Sequence, residues 1–137
     1  MSKVHNCRDL NIFVYVEDTD FQGFVYHANY LKFFERARTE YLRECGYEQM
    51  KLMQEGIIFV VRGVEMKLQK PARLDDVLVI KSRLIKLGKV SFDFLQKAYL
   101  EKELITQAKI QCGSLDVKSF KPSALPEYLQ LSMKKLL

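Results

Sequence analysis

Near the start of this chain, side chains able to do acid–base or nucleophilic work lie close together. Asp18 and Asp20 flank Thr19, and His27 follows seven residues after Asp20, beyond Gly23. A carboxylate can act as general base or nucleophile, and an imidazole can orient a substrate or move a proton. Asp and Thr also bond readily to their own turn backbone, so on spacing alone the run reads first as an ordinary polar turn. The residues that follow favour chemistry. From about Tyr30 the apolar positions Tyr30, Phe33, Phe34, Ala37, Tyr41 and Cys45 fall three or four apart, on one face of a helix. No glycine or proline interrupts Ala28 to Cys45, and Gly46 supplies the stop. Glu35, Arg36, Arg38, Glu40 and Arg43 take the opposite face, with Glu35–Arg38 and Arg36–Glu40 at pairing distance. The turn thus delivers carboxylates and a histidine to a helix N-terminus. Unpaired N–H groups and a positive dipole end there suit a developing oxyanion.

Other chemistries find little footing. Two histidines, His5 and His27, and no cysteine pair at ligand spacing make a metal site unexpected. The six glycines form neither a Walker loop nor a G-x-G-x-x-G run, and there is no G-x-S-x-G elbow. No cofactor is expected. The net charge of +5 fits simple solubility, or an anionic ligand or surface. Nucleic acid is not an expected partner, because the basic residues are spread out and no recognition motif is present.

The rest of the chain must position the turn. Leu10 to Glu17 alternates as a strand, with Leu10, Ile12, Val14 and Val16 on one side. Glu48 to Glu55 adds a helical turn closed by Gly56. Ile57–Leu68, Asp76–Leu87, Val90–Leu100 and Leu104–Val117 read as four further strands, punctuated by Pro71, Gly88 and Glu101–Glu103. In the second strand Ile58, Val60, Val64, Met66 and Leu68 share a face. Glu127 to Leu137 reads as a short basic amphipathic helix that packs on its own domain or on an oligomer partner. A length of 137 residues with 48% hydrophobic residues predicts one α+β domain, an antiparallel sheet curled around one long helix. The apolar runs are too short for a bilayer span. Three scattered cysteines and the lack of a signal-peptide h-region predict a cytoplasmic protein.

The run from Tyr15 to Glu40 resembles the signature of the hotdog-fold acyl-CoA thioesterases. Within that group it looks like the YbgC type of the 4-hydroxybenzoyl-CoA thioesterase family, which is associated with the Tol-Pal system. The pattern is met by Tyr15, Glu17, Asp18, Thr19, Asp20, Gly23, Val25, Tyr26, His27, Asn29, Tyr30, Leu31, Glu35, Arg36, Ala37, Arg38 and Glu40. Weaker resemblance continues to about Val117, and the tail beyond Phe120 carries no recognisable motif.

The resemblance implies a hotdog fold, a curved antiparallel sheet of about five strands wrapped around one long helix. It spans residues 1–137 as a single thioesterase domain, with the short C-terminal helix from about 127. It implies a homodimer joined edge to edge, often paired into a homotetramer. The expected activity is hydrolysis of an acyl-CoA to the free acid and CoA. The family's catalytic aspartate falls on Asp20, as nucleophile or general base. His27 marks the helix start that forms the oxyanion hole. Tyr15, Val60, Val61, Arg62 and Ser91 are candidate substrate contacts, Ser91 from a neighbouring subunit. Lys70, Arg73, Lys118 and Lys121 are candidates for the CoA phosphates. The alternative is a non-catalytic module that binds acyl groups or acyl carrier protein, with peripheral membrane association, in membrane-lipid metabolism. The presence of both Asp20 and His27 favours catalysis.

Overall fold

The computed structural model describes residues 9–137. Five strands form one sheet in the order β1-β3-β4-β5-β2. They are β1 (Leu10–Phe13), β2 (Ile57–Leu68), β3 (Val77–Leu87), β4 (Ser91–Leu100) and β5 (Glu103–Asp116). The helices are α1 (Asn29–Glu44), α2 (Gln49–Gln54) and α3 (Glu127–Lys134). A curled antiparallel sheet with one long helix is the hotdog arrangement. β1 pairs antiparallel with β3, Leu10 opposite Ile80 and Phe13 opposite Val77. No helix of the described residues is long and apolar enough to cross a membrane.

Contacts group the described chain into two compact units. The first holds the chain up to Tyr41, with Met66–Ser82 and Gln96–Ala108. Here α1 buries Tyr30, Phe33, Phe34, Ala37 and Tyr41, the stripe read from the sequence. A polar tie fixes the helix on the strands. Gln96 of β4 is wholly buried; it accepts from Arg38 Nη1 at 2.9 Å and donates to the Phe34 carbonyl and Ser82 Oγ, each at 2.9 Å. The second unit holds Leu42–Glu65, Arg83–Leu95 and Lys109–Leu137. Its core is aromatic: Tyr47 stacks on Phe59 at 5.2 Å, and Phe59 meets Phe92 edge-on at 5.0 Å. Leu129 and Met133 of α3 are fully buried.

Four sequence expectations change. The first strand stops at Phe13, because Val16–Asp18 form a single 3-10 turn. That separates Val16, grouped in the sequence with Leu10, Ile12 and Val14, from the buried Ile12 and Val14 and leaves it 72% exposed. Arg38, expected on the polar face of α1, is buried against Gln96. Asp93, which alternates with the apolar residues of β4 in the sequence, is also buried. No residue of β2 is buried, although Ile58, Val60, Val64, Met66 and Leu68 were read as sharing one apolar face; β2 is an outer strand of the sheet.

Candidate active site

The candidate site is built around a narrow hairpin in the first unit. Tyr15 leads into the 3-10 turn, and its N–H donates to Asp18 Oδ2 at 2.9 Å. Three backbone links then lace residues 18–20 to 24–26. Tyr26 N–H donates to the Asp18 carbonyl at 2.8 Å, Thr19 bridges Val25, and Asp20 N–H donates to the Phe24 carbonyl at 2.8 Å. Gly23 closes the tip in the left-handed region, φ +85°, where a side chain would be strained. Its N–H donates to the Asp20 carbonyl at 3.0 Å.

This lacing gives the two aspartates opposite roles. Asp18 is buried with both carboxylate oxygens engaged, Oδ2 by Tyr15 N–H and Oδ1 by Asn29 Nδ2 at 3.0 Å. It is a structural acceptor. Asp20 is half-buried, and its Oδ1 accepts the N–H groups of Gln22 at 3.0 Å and Phe24 at 3.2 Å. Its Oδ2 has no partner among the described residues. Two amides therefore aim the carboxylate and leave one oxygen for a substrate or water.

His27 lies past the other end of the ladder, where the chain enters α1. Its ring is exposed, 4.6 Å from the Tyr26 ring and tilted 52° to it. No hydrogen bond or ion pair joins His27 to Asp20 among the described residues. The N–H groups of His27 and Ala28 donate no hydrogen bond among the described residues, whereas Asn29 N–H is held by the Tyr26 carbonyl at 2.8 Å. Free amides thus stand at the positive end of a 16-residue helix.

Of the candidate substrate contacts, Tyr15 is 61% exposed beside this hairpin. The other four belong to the second unit. Val60 is half-buried, Val61 is exposed, and the exposed Arg62 lays its methylenes over Gly113, where an added Cβ would stand 2.8 Å from Arg62 Cδ. Ser91 begins β4, with its hydroxyl folded toward Gly88 at the β3–β4 turn. Lys70 is drawn into an ion pair with Glu103, which leaves it poorly placed to hold a phosphate. Two features escaped sequence reasoning: the Asp18–Asn29 bond and the pairing of Phe24 with Arg73. The second joins distant segments, and the first shows in sequence only as a polar pair flanking the turn. Among the described residues no cluster of His, Cys, Asp and Glu could hold a metal.

A hotdog sheet and helix, with an oriented aspartate and open amides at the helix entry, define a class of candidate thioester-processing proteins. The thioesterase superfamily matches residues 22–106, and the chain belongs to that superfamily. It is 41% identical over 123 residues to the Acyl-CoA thioester hydrolase YbgC of Escherichia coli, covering 89% of this chain and 92% of that relative. It is 36% identical to the Acyl-CoA thioesterase YbgC of Haemophilus influenzae, covering 90% of this chain and 91% of that one. Among solved structures, a probable thioesterase from Bartonella henselae superposes with a TM-score of 0.80 at 38% identity, covering 87% of this chain and 98% of the other.

Proposed function

We propose that this chain is an acyl-CoA thioester hydrolase, cleaving acyl-CoA to a free carboxylic acid and CoA. The carrying observation is the state of Asp20: tied through Oδ1 to two amides, with Oδ2 open. The acyl-CoA activities of the Escherichia coli and Haemophilus influenzae relatives support the substrate class.

The thioester carbonyl oxygen would sit against the free N–H groups of His27 and Ala28. Such donors hold the charge that develops on that oxygen, each contributing about 3–4 kcal/mol to the transition state. Asp20 Oδ2 then follows one of two routes. It attacks the carbonyl carbon and expels CoA thiolate, leaving an anhydride that water opens. Otherwise it takes a proton from a water that attacks in its place. Both give one acid and one CoA. The His27 ring orients the thioester; a thiolate leaves readily without an acid. Tyr15, Val60, Val61, Arg62 and Ser91 are the proposed substrate contacts, with the exposure of Tyr15, Val61 and Arg62 in support.

The functional unit we propose is one thioesterase domain over 1–137, working in the cytoplasm as a homodimer or homotetramer. The family match at 22–106 draws on segments of both compact units, which supports a single domain. β2 supports assembly: it is a 12-residue outer strand, and Val61, Val64 and Leu68 are each more than 40% exposed. An open edge of that length invites pairing, and a two-fold axis would close it.

The test is hydrolysis of an acyl-CoA panel of varied chain length, with released thiol read by a chromogenic reagent. Turnover is the expected result. No turnover with any member, together with tight binding of acyl carrier protein, would instead make the chain a binding module.

A further inference from the structure

The segment that follows β2 is stitched to the outgoing arm of the Asp20 hairpin. Val25 N–H donates to the Ala72 carbonyl at 2.8 Å, and Phe24 bridges Arg73. The backbone of Arg73 is fixed from the other side as well. Its N–H donates to Asp76 Oδ2 at 2.8 Å, its carbonyl accepts Asp76 N–H at 3.1 Å, and Asp75 turns the chain in the left-handed region, φ 72°. The Arg73 guanidinium lies over the Phe24 ring, 5.6 Å from its centre. Phe24 supplies one of the two amides that aim Asp20. Arg73 is therefore a cation built into the wall of the candidate catalytic turn.

Its charge meets the Phe24 ring but no carboxylate in an ion pair among the described residues. Two bases of the same unit have carboxylate partners: Lys70 pairs with Glu103, and Lys81 with Asp9 at 3.0 Å. Arg73 is exposed and has no ion-pair partner among the described residues. Stacking on Phe24 pre-orients a planar fork suited to two oxygens of a carboxylate or phosphate, which lowers the cost of ordering it on binding. Asp75 and Asp76 offset any long-range pull on an anion, so the contact must act at short range through the fork itself.

We propose that Arg73 is a specificity-determining residue of this site, receiving an oxyanion carried by the substrate. Two parts of an acyl-CoA offer that chemistry: a CoA phosphate, and a carboxylate at the far end of a dicarboxylic acyl group. The proposal rests on the thioesterase reading above.

The test is steady-state kinetics of the full chain and its Arg73→Gln and Arg73→Lys variants on butyryl-CoA, butyryl-pantetheine and glutaryl-CoA. Glutamine keeps a stem over Phe24 but loses the charge, and an unchanged Tm confirms the fold. If a phosphate is read, Arg73→Gln raises KM for butyryl-CoA about tenfold, the lower end for a charged hydrogen bond, and leaves butyryl-pantetheine alone. If an acyl carboxylate is read, kcat/KM for glutaryl-CoA falls by a similar factor while butyryl-CoA is unchanged. In either case Arg73→Lys recovers only part of the loss, because an ammonium lacks the fork. Unchanged kinetics on all three substrates would overturn the proposal. So would an equal loss on all three, the mark of a purely structural residue. Wild-type turnover is the separate control: a wild type inactive on every substrate would remove the thioesterase reading itself.

Discussion

Asp18 and Asn29 are joined by a buried hydrogen bond, Asn29 Nδ2 to Asp18 Oδ1 at 3.0 Å, which ties the turn carrying Asp20 to the first residue of α1. The free amides of His27 and Ala28 lie on the short chain between those anchors. The relation between the candidate base and the candidate oxyanion hole therefore depends on a contact that touches neither. Asp18→Ala should leave Asn29 Nδ2 and the Tyr15 amide without acceptors, costing about 1–3 kcal/mol for each group that stays buried. The expected outcome is a lower Tm together with reduced turnover. Asn29→Ala should show the same pair of effects more mildly, since Asp18 keeps its Tyr15 contact. Wild-type stability and rate in both variants would contradict this.

His27→Ala should slow hydrolysis less than removal of the Asp20 carboxylate. The backbone N–H at position 27 survives the change, and the exposed ring makes no hydrogen bond to Asp20. The check is kcat for the two variants measured side by side. A loss at His27 equal to that at Asp20, with Tm unchanged, would give the imidazole a central chemical step.

Alkaline pH should destabilise the fold through Tyr30. Burial pushes its phenol above the ordinary value of 10.0; the Thr106 hydroxyl and the Ala72 backbone pull it back part of the way, and Asp76 adds to the rise. The Thr106 hydroxyl and the Ala72 backbone act on the Tyr30 hydroxyl by proximity only, because it has no partner in hydrogen-bond geometry among the described residues. A raised folded-state pKa contributes stability that is fully present below about pH 10 and lost as pH climbs through the folded value. Tm should therefore fall above about pH 10. Tyr30→Phe should flatten part of that fall. Tyr47, raised first by burial and then by Tyr128, adds to the same fall. An identical alkaline profile in wild type and Tyr30→Phe would rule Tyr30 out as the cause.

How much of this was visible in the sequence differs from residue to residue. The buried stripe of α1 was legible because a 3.6-residue period needs only local spacing. The turn was legible from Asp, Thr and Gly chemistry. Arg38 was misread because its partner Gln96 lies 58 residues away and no local pattern announces it. Val16 was misread because alternation extends a strand past the point where Asp18 caps a 3-10 turn. Likewise β2 carries a strand's apolar alternation, but its place at the sheet edge depends on strand order. The choice between Asp18 and Asp20 came from family resemblance alone. Their different hydrogen bonding supports Asp20 as the proposed choice.

The open edge at β2 should make the working species an oligomer. Light scattering at assay concentration should report a dimer or tetramer. A charge on the exposed side of that strand, as in Val64→Lys, should shift the species toward smaller mass and lower activity. A fully active monomer would contradict the proposed assembly.

The central claim is that Asp20 performs the chemistry and Asp18 holds the turn. The most direct measurement is kcat of Asp20→Asn on an acyl-CoA that the wild type hydrolyses, alongside Tm and mass in solution. Asparagine keeps the shape and can still accept the Gln22 and Phe24 amides through its oxygen, but it is neither base nor nucleophile. Turnover should fall by roughly 10²–10⁴-fold on general acid–base grounds, with fold and assembly intact. Near wild-type turnover in Asp20→Asn would contradict the account, most plainly if Asp18→Asn were inactive yet fully folded.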